Sequence, residues 1–185
     1  MVGAGDDRRT GTQLNAEANV KKTALAPEVK WIQRETFGMD RALALVSGTD
    51  TDRRLLAEAG SLAGGVKAKL FVLDIVDAAE YGGDVQRRST IGRRSESPEE
   101  AAERARENAS SVAEEVLSDL DVEYEARGIV GDVPEDVLSE AERLDCDHVF
   151  VVGRRRSPTG KAIFGDVAQS VVLGFDGPVT VLLGE

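Results

Sequence analysis

Five short strand-like runs, each separated from the next by a longer intervening segment, dominate the chain from residue 41 onward. ALALVS (42–47), KLFVLDIV (69–76), VEYEARGIV (122–130), DHVFVVG (147–153) and PVTVLL (178–183) read as strands. Segments 49–64, 97–120, 134–144 and 162–175 place apolar residues at helical spacing. The helix at 97–120 is marked most clearly, with Ser97 as N-cap, Pro98 at the first helical position and Glu99–Glu100 in the first turn. Residues 77–97, with Gly82, Gly83 and Gly92 and no period, read as a long loop. Strand–helix alternation with nearly continuous apolar strands predicts a parallel sheet covered on both faces. Right-handed crossovers make it an open, doubly wound α/β sheet of five strands. In such a sheet a ligand sits beyond the strand carboxyl ends, where the strand order reverses.

The chain has 185 residues, which suits one domain with some excess. Its 23 Lys and Arg against 34 Asp and Glu leave a net charge of −11. That balance argues against nucleic acid as a partner, since nonspecific affinity for it comes from neutralised phosphates. The single cysteine, Cys146, rules out a disulfide framework within the chain, and the single histidine, His148, rules out multi-His metal sites. No apolar run approaches the ~20 residues that span a bilayer, and no apolar segment follows the first Met. A cytoplasmic protein with no membrane partner is the expectation.

Charge is unevenly spread. Residues 1–38 hold six bases and five acids and show no apolar period, so they lack the surface to offset their ordering entropy. We expect residues 1–38 to be an extension outside the domain: upstream sequence, with Met39 the physiological start, or a flexible tail. Residues 39–185 form the domain. They hold 17 of the 23 bases and 29 of the 34 acids, and their only lysines are Lys67, Lys69 and Lys161. Such an acidic, lysine-poor surface suits molar salt, where the screening length falls to ~3 Å.

The stretch GRRRSPTGKAIFGDV (153–167) is the most informative. Gly153 ends a strand and lets the chain turn. Arg154, Arg155, Arg156 and Lys161 follow, with Gly160 between, before the next helix begins. A strand end leading into a helix N-terminus offers backbone N–H donors, and arginine adds planar forks suited to phosphate. Arg87, Arg88, Arg93 and Arg94 in the 77–97 segment leave from the same edge of the sheet. An anionic small molecule is the expected ligand; a solvated basic loop or intersubunit ion pairs are the alternatives. The stretch is not a P-loop, because Arg155 stands where the first glycine belongs and Ala162 follows Lys161.

The order strand–SGTD–helix–strand–insert–helix–strand–VGD–helix–DHVFVVG–glycine loop–GD–helix–GPVTVLL resembles the universal stress protein family over about residues 41–185, in a form similar to the branch from salt-loving archaea. The resemblance implies strand order 3-2-1-4-5, an adenine-nucleotide α-hydrolase-like fold. It implies nucleotide held by loops after strands one and four. Carried over position by position, the base-contacting residues fall on Leu45, Val46, Ser47 and Ile75. Ser47 replaces the family's Asp. The phosphate loop falls on Gly153, Arg154, Arg155, Arg156, Gly160, Gly165, Asp166 and Val167. The second loop glycine has no counterpart, Arg155 or Arg156 standing there, and Asp166 replaces a hydroxyl residue. A carboxylate ~4 Å from a phosphate charge costs ~4 kcal/mol at an effective dielectric of 20. Arginines would offset that, and Mg²⁺ accompanying ATP would turn Asp166 into a ligand.

Other residues read structurally. His148 opens strand four at the end away from the site, and Cys146 is a small packed side chain. Asp74 either lines the pocket or ends a strand in solvent. The apolar last strand, 178–183, is an aggregation template if left open. Pairing with its own copy closes it into a homodimer, as the resemblance also implies. The leading reading is therefore a binding module for nucleotide, ATP or AMP, at the rim between strands one and four. It has no catalytic residues and a regulatory or protective role in stress. The alternatives are a family member that binds no nucleotide and acts through its dimer surface, and a slow Mg²⁺-dependent ATP hydrolase.

Overall fold

A computed structural model of the protein describes residues 38–92, 94–154 and 166–184. In chain order the elements are β1 (Arg41–Val46), α1 (Asp50–Val66), β2 (Lys69–Asp77), α2 (Ala78–Thr90), α3 (Pro98–Leu117), β3 (Tyr124–Gly131), α4 (Val133–Arg143), β4 (His148–Arg154), α5 (Asp166–Gly174) and β5 (Val179–Gly184). The five strands form one parallel sheet in the order β3-β2-β1-β4-β5. Order reverses between β1 and β4, as the alternation of strands and helices requires of a doubly wound sheet.

Alternate strand residues feed two apolar clusters. Ala42, Ala44, Val46, Leu70, Val72 and Phe150 pack with α1 and α3 on one face. Leu43, Phe71, Leu73, Val149 and Val151 pack with α4 and α5 on the other. The face α3 turns inward is mostly alanine: Ala101, Ala105, Ala109 and Ala113 are fully buried. Small side chains let that helix sit very close to β3. A Cβ on Gly128 would lie 2.1 Å from the backbone nitrogen of Arg106, so only glycine fits there.

Caps follow the sequence. Ser97 accepts from the Glu100 N–H, and the Glu100 carboxylate accepts from the Ser97 N–H at 2.8 Å, closing a capping box. Asp132 caps α4. The expectation of a loop over 77–97 is corrected: residues 78–90 are the helix α2, capped by Asp77, whose side chain accepts from the Ala79 and Glu80 N–H groups. None of its residues is buried, so no apolar period betrays it, and Gly82–Gly83 cost about 1 kcal/mol each in a helix. It is tied to the following segment by Tyr81 Oη donating to the Glu96 carbonyl at 2.7 Å and by Ser95 Oγ donating to the Val85 carbonyl.

The two sheet edges differ. Near β3, Lys69 bridges Glu123 and Glu125, and Arg127 bridges Glu125 at 2.7 Å. The β5 edge is instead half-buried valine, threonine and leucine. Among the described residues no helix is long and apolar enough to cross a membrane.

Candidate functional site

The β1–β4 ladder runs from Ala42–His148 to Ala44–Phe150 and stops there. Yet β1 stays paired to β2 as far as Val46–Asp74, and β4 to β5 as far as Arg154–Gly184. The two central strands therefore part at their carboxyl ends and open a crevice at the point where strand order reverses. Such a crevice is where open α/β sheets place ligands. The first turn of α1 follows β1 on one side of it, and α5 begins after β4 on the other, each helix bringing its N-terminal N–H groups to this edge.

On the α4/α5 face this end of the sheet is apolar and half-open. Deeper in, Leu43, Leu73 and Val151 are fully buried. Toward the carboxyl ends, Leu45, Ile75, Ile129, Val133 and Val167 pack on the same cluster but stay half-buried. Ile75 and Ile129 are register partners on adjacent strands, so they form one flat step. The arrangement offers a planar apolar group a surface to lie on, with strand ends and helix N-termini around it.

On the α1/α3 face the same end is closed by polar side chains. Asp52, in the first turn of α1, is only 5% exposed. One of its oxygens, Oδ2, accepts from Ser47 N at 3.0 Å, Ser47 Oγ at 2.8 Å, Thr49 N at 2.9 Å and Thr49 Oγ1 at 2.8 Å. Gly48 between them has φ +84°, a conformation glycine adopts without strain. The Arg53 guanidinium donates to the Gly48 carbonyl at 2.7 Å and pairs with Glu115 at 3.1 Å. Asn108 of α3 lies beside Gly48 and donates to Asp74 at 2.7 Å. Burial pushes the Asp74 carboxyl up from its ordinary 3.8, with the Asn108 bond pulling the other way.

The expected site residues separate accordingly. Leu45, Ile75 and Val167 share the open apolar step, Ser47 stands exposed at the β1 tip, and Gly153 is buried near the end of β4. Val46 faces the other way and is 1% exposed inside the α1/α3 cluster, so its side chain is not at the crevice. Arg154 closes β4 in register with Gly184, and Asp166 begins α5. Arg155, Arg156, Gly160 and Gly165 lie outside the described residues. Asp74 neither lines the apolar step nor stands in solvent, being turned toward α3. Of the arginines after β2, Arg87 is bonded to Asp84, and Arg94 pairs with Glu100 at 2.6 Å. Arg88 and Arg94 line an open, polar depression of about 380 Å³ with Ser95, Glu96 and Glu100. Arg93 lies outside the described residues. The positive charge expected from this insert is thus partly paired with carboxylates of the insert and of α3.

His148 sits at the opposite, amino end of β4. Its Nε2 is 2.9 Å from Thr180 Oγ1, its ring stacks on Phe150 at 4.5 Å, and burial holds its pKa below the usual 6.5. Burial pushes the Cys146 thiol up to about 12, which keeps it protonated and unreactive. Asp52, Ile129 and Val133 are the site residues that reading the sequence passed over. Thr49-x-x-Asp52 is a capping-box pattern that would have pointed to the first.

Comparison with known proteins agrees with this architecture. The model of the universal stress protein family matches residues 39–182. A universal stress protein from Archaeoglobus fulgidus shares 25% identity at a TM-score of 0.54, covering 77% of this chain and 97% of its own. A universal stress protein in complex with cAMP shares 16% identity at a TM-score of 0.53, covering 80% and 99%. The universal stress protein from Archaeoglobus fulgidus in complex with dAMP shares 20% at 0.51, covering 79% and 98%. No curated protein matches the chain by sequence.

Proposed function

Given that the chain belongs to the universal stress protein family, we propose that it is a cytoplasmic, regulatory or protective module that binds an adenine nucleotide in the crevice between β1 and β4. The observation that carries this reading is the parting of β1 from β4 beyond Ala44–Phe150, beside the half-open step of Leu45, Ile75, Ile129, Val133 and Val167. A purine ring lies flat on such a step. Its phosphates reach the α5 N-terminus and the arginine-rich stretch after Gly153. The related proteins that hold cAMP and dAMP support the ligand class.

Binding proceeds without catalysis. His148 lies at the far end of the sheet, and Asp74 is turned to α3, so neither serves as a general base at the crevice. Two copies pair through the apolar β5 edge, which the charged β3 edge cannot imitate.

Titration of the full chain with ATP, AMP and cyclic AMP, with and without Mg²⁺, tests the reading when phosphate release is followed in parallel. Saturable binding without turnover is expected, lost in Ile75→Glu. Absence of binding at millimolar nucleotide favours a role through the dimer surface alone. Turnover abolished by Asp166→Ala favours a slow hydrolase. Light scattering on the eluting protein tests the dimer, and a monomer at micromolar concentration removes it.

A further inference from the structure

We propose that Thr90, at the end of α2, is a phosphorylation site, taking the γ-phosphoryl group of ATP from a protein kinase that recognises the arginine pair before it. The inference is independent of the nucleotide reading of the crevice.

The insert carries one pattern twice. Arg87 and Arg88 precede Ser89 and Thr90, and Arg93 and Arg94 precede Ser95 and, beyond Glu96, Ser97. The sequence does not choose among these hydroxyls, but their surroundings do. Ser95 is half-buried and donates inward to the Val85 carbonyl. Ser97 Oγ accepts from the Glu100 N–H as the cap of α3, and the Glu100 carboxylate holds the Ser97 N–H. Ser89 and Thr90 are exposed in the last turn of α2. Kinases select substrates by charge pattern along an extended chain. At ~3.3 Å per residue, Arg88 and Arg87 lie about 7 and 10 Å from Thr90 in such a chain. Kinase carboxylates that pair with them there stand clear of the ATP phosphates. Ser89 has Arg88 directly beside it, and a carboxylate pairing with that arginine would crowd the transferring phosphoryl group and repel it.

Binding to a kinase requires the last turn of α2 to open, and little holds it. No residue of α2 is buried. Among the described residues, the side chains from Gln86 to Thr90 bond only within α2: Arg87 to Asp84, and Thr90 Oγ1 to the Gln86 carbonyl at 2.9 Å. Segments tied so weakly open at low cost. In the transfer, Thr90 Oγ1 bonds to the γ-phosphorus while the bond from that phosphorus to the ADP oxygen breaks. ADP leaves, and the hydroxyl proton passes to a carboxylate of the kinase. The product cannot rebuild the old turn. Its Oγ1 has no proton left for Gln86, and its charge faces the last carbonyls of a helix, where an anion is unfavourable. Arg88 and Arg94, which line one open depression and flank Thr90 in the chain, offer the phosphate planar forks instead. Modification thus exchanges the end of α2 for arginine–phosphate pairs.

Tandem mass spectrometry of the full chain isolated from its native cells is expected to place a phosphoryl group on Thr90. The unmodified full chain should take phosphate at the same residue from Mg²⁺–ATP and an arginine-directed kinase, the catalytic subunit of cAMP-dependent protein kinase serving as the probe. Thr90→Val should abolish that transfer and Thr90→Ser should keep it. Replacing both arginines, Arg87→Ala with Arg88→Ala, should slow it about tenfold or more. All three positions are exposed, so thermal unfolding of the variants should match wild type. Hydrogen exchange over residues 87–90 should quicken once Thr90 is modified. Phosphate on Ser89, Ser95, Ser97 or Ser157 in place of Thr90 overturns the assignment. So does a chain from native cells that carries no phosphate, or transfer that is indifferent to the loss of both arginines.

Discussion

The two faces of the sheet end differently at the same edge. Toward α1 and α3, the carboxyl ends are sealed: Val46 is buried, Asp52 gathers four donors, and Asn108, beside Gly48, donates to Asp74. Toward α4 and α5, the same strands end in Leu45 and Ile75, apolar and half-covered. The difference teaches that stability and recognition are divided between faces of one sheet. A buried carboxylate bound by four donors holds the backbone in a single arrangement. A half-covered apolar step leaves surface that a ligand can remove from water.

If the division is real, changes on the sealed side should act on stability and changes on the open side on binding. The largest effect is expected for Asp52→Ala, which removes the carboxylate half of the capping box and leaves two backbone N–H groups and two hydroxyls without their acceptor. A loss of about 3 kcal/mol in denaturant unfolding is expected. Next come the neighbours Val46 and Leu45. Val46→Ala should cost about 2 kcal/mol, whereas Leu45→Ala, already half in solvent, should cost about 1 kcal/mol yet weaken nucleotide binding several-fold, to about a fifth or less of wild type. Equal stability losses from the two, with equal effects on binding, would break the comparison.

The smallest effect comes from the far end of the sheet, which should affect neither the seal nor the step. Burial lowers the pKa of His148 in the folded chain from the usual 6.5. The unfolded chain then binds more protons below that value, so stability is full above pH 6.5 and declines as the pH falls through the folded-state pKa. His148 is the sole histidine, so this component of the unfolding free energy should vanish in His148→Gln. Nucleotide affinity should not follow it. A matching loss of affinity over that window would place a coupled group at the crevice.

Much of this fold was legible beforehand because its central strands are buried on both faces and α1, α3 and α4 are amphipathic and capped. Ser97, Pro98 and Glu100 announce α3, and ALALVS and DHVFVVG announce the two central strands. The helix α2 was illegible for a physical reason: it buries nothing, so periodicity had nothing to record. The site was legible only in part. Strand alternation alone puts Leu45 and Val46 on opposite faces, yet resemblance to relatives named both. Ile129 joins the step through its register with Ile75, a pairing that only the assembled sheet reveals. Asp52 left a trace in its cap pattern. Its reach back to Ser47, however, depends on the fold of the intervening turn.

The unburied helix α2 has a consequence for how this chain can change. A side chain added at Gly82 or Gly83 would meet open space, and no residue of the segment is needed to fill the interior. Composition at Gly82 and Gly83 is nearly free so long as Tyr81 and Val85 keep their ties to Glu96 and Ser95. A lineage could therefore graft new recognition onto an unchanged scaffold at the carboxyl end of β2.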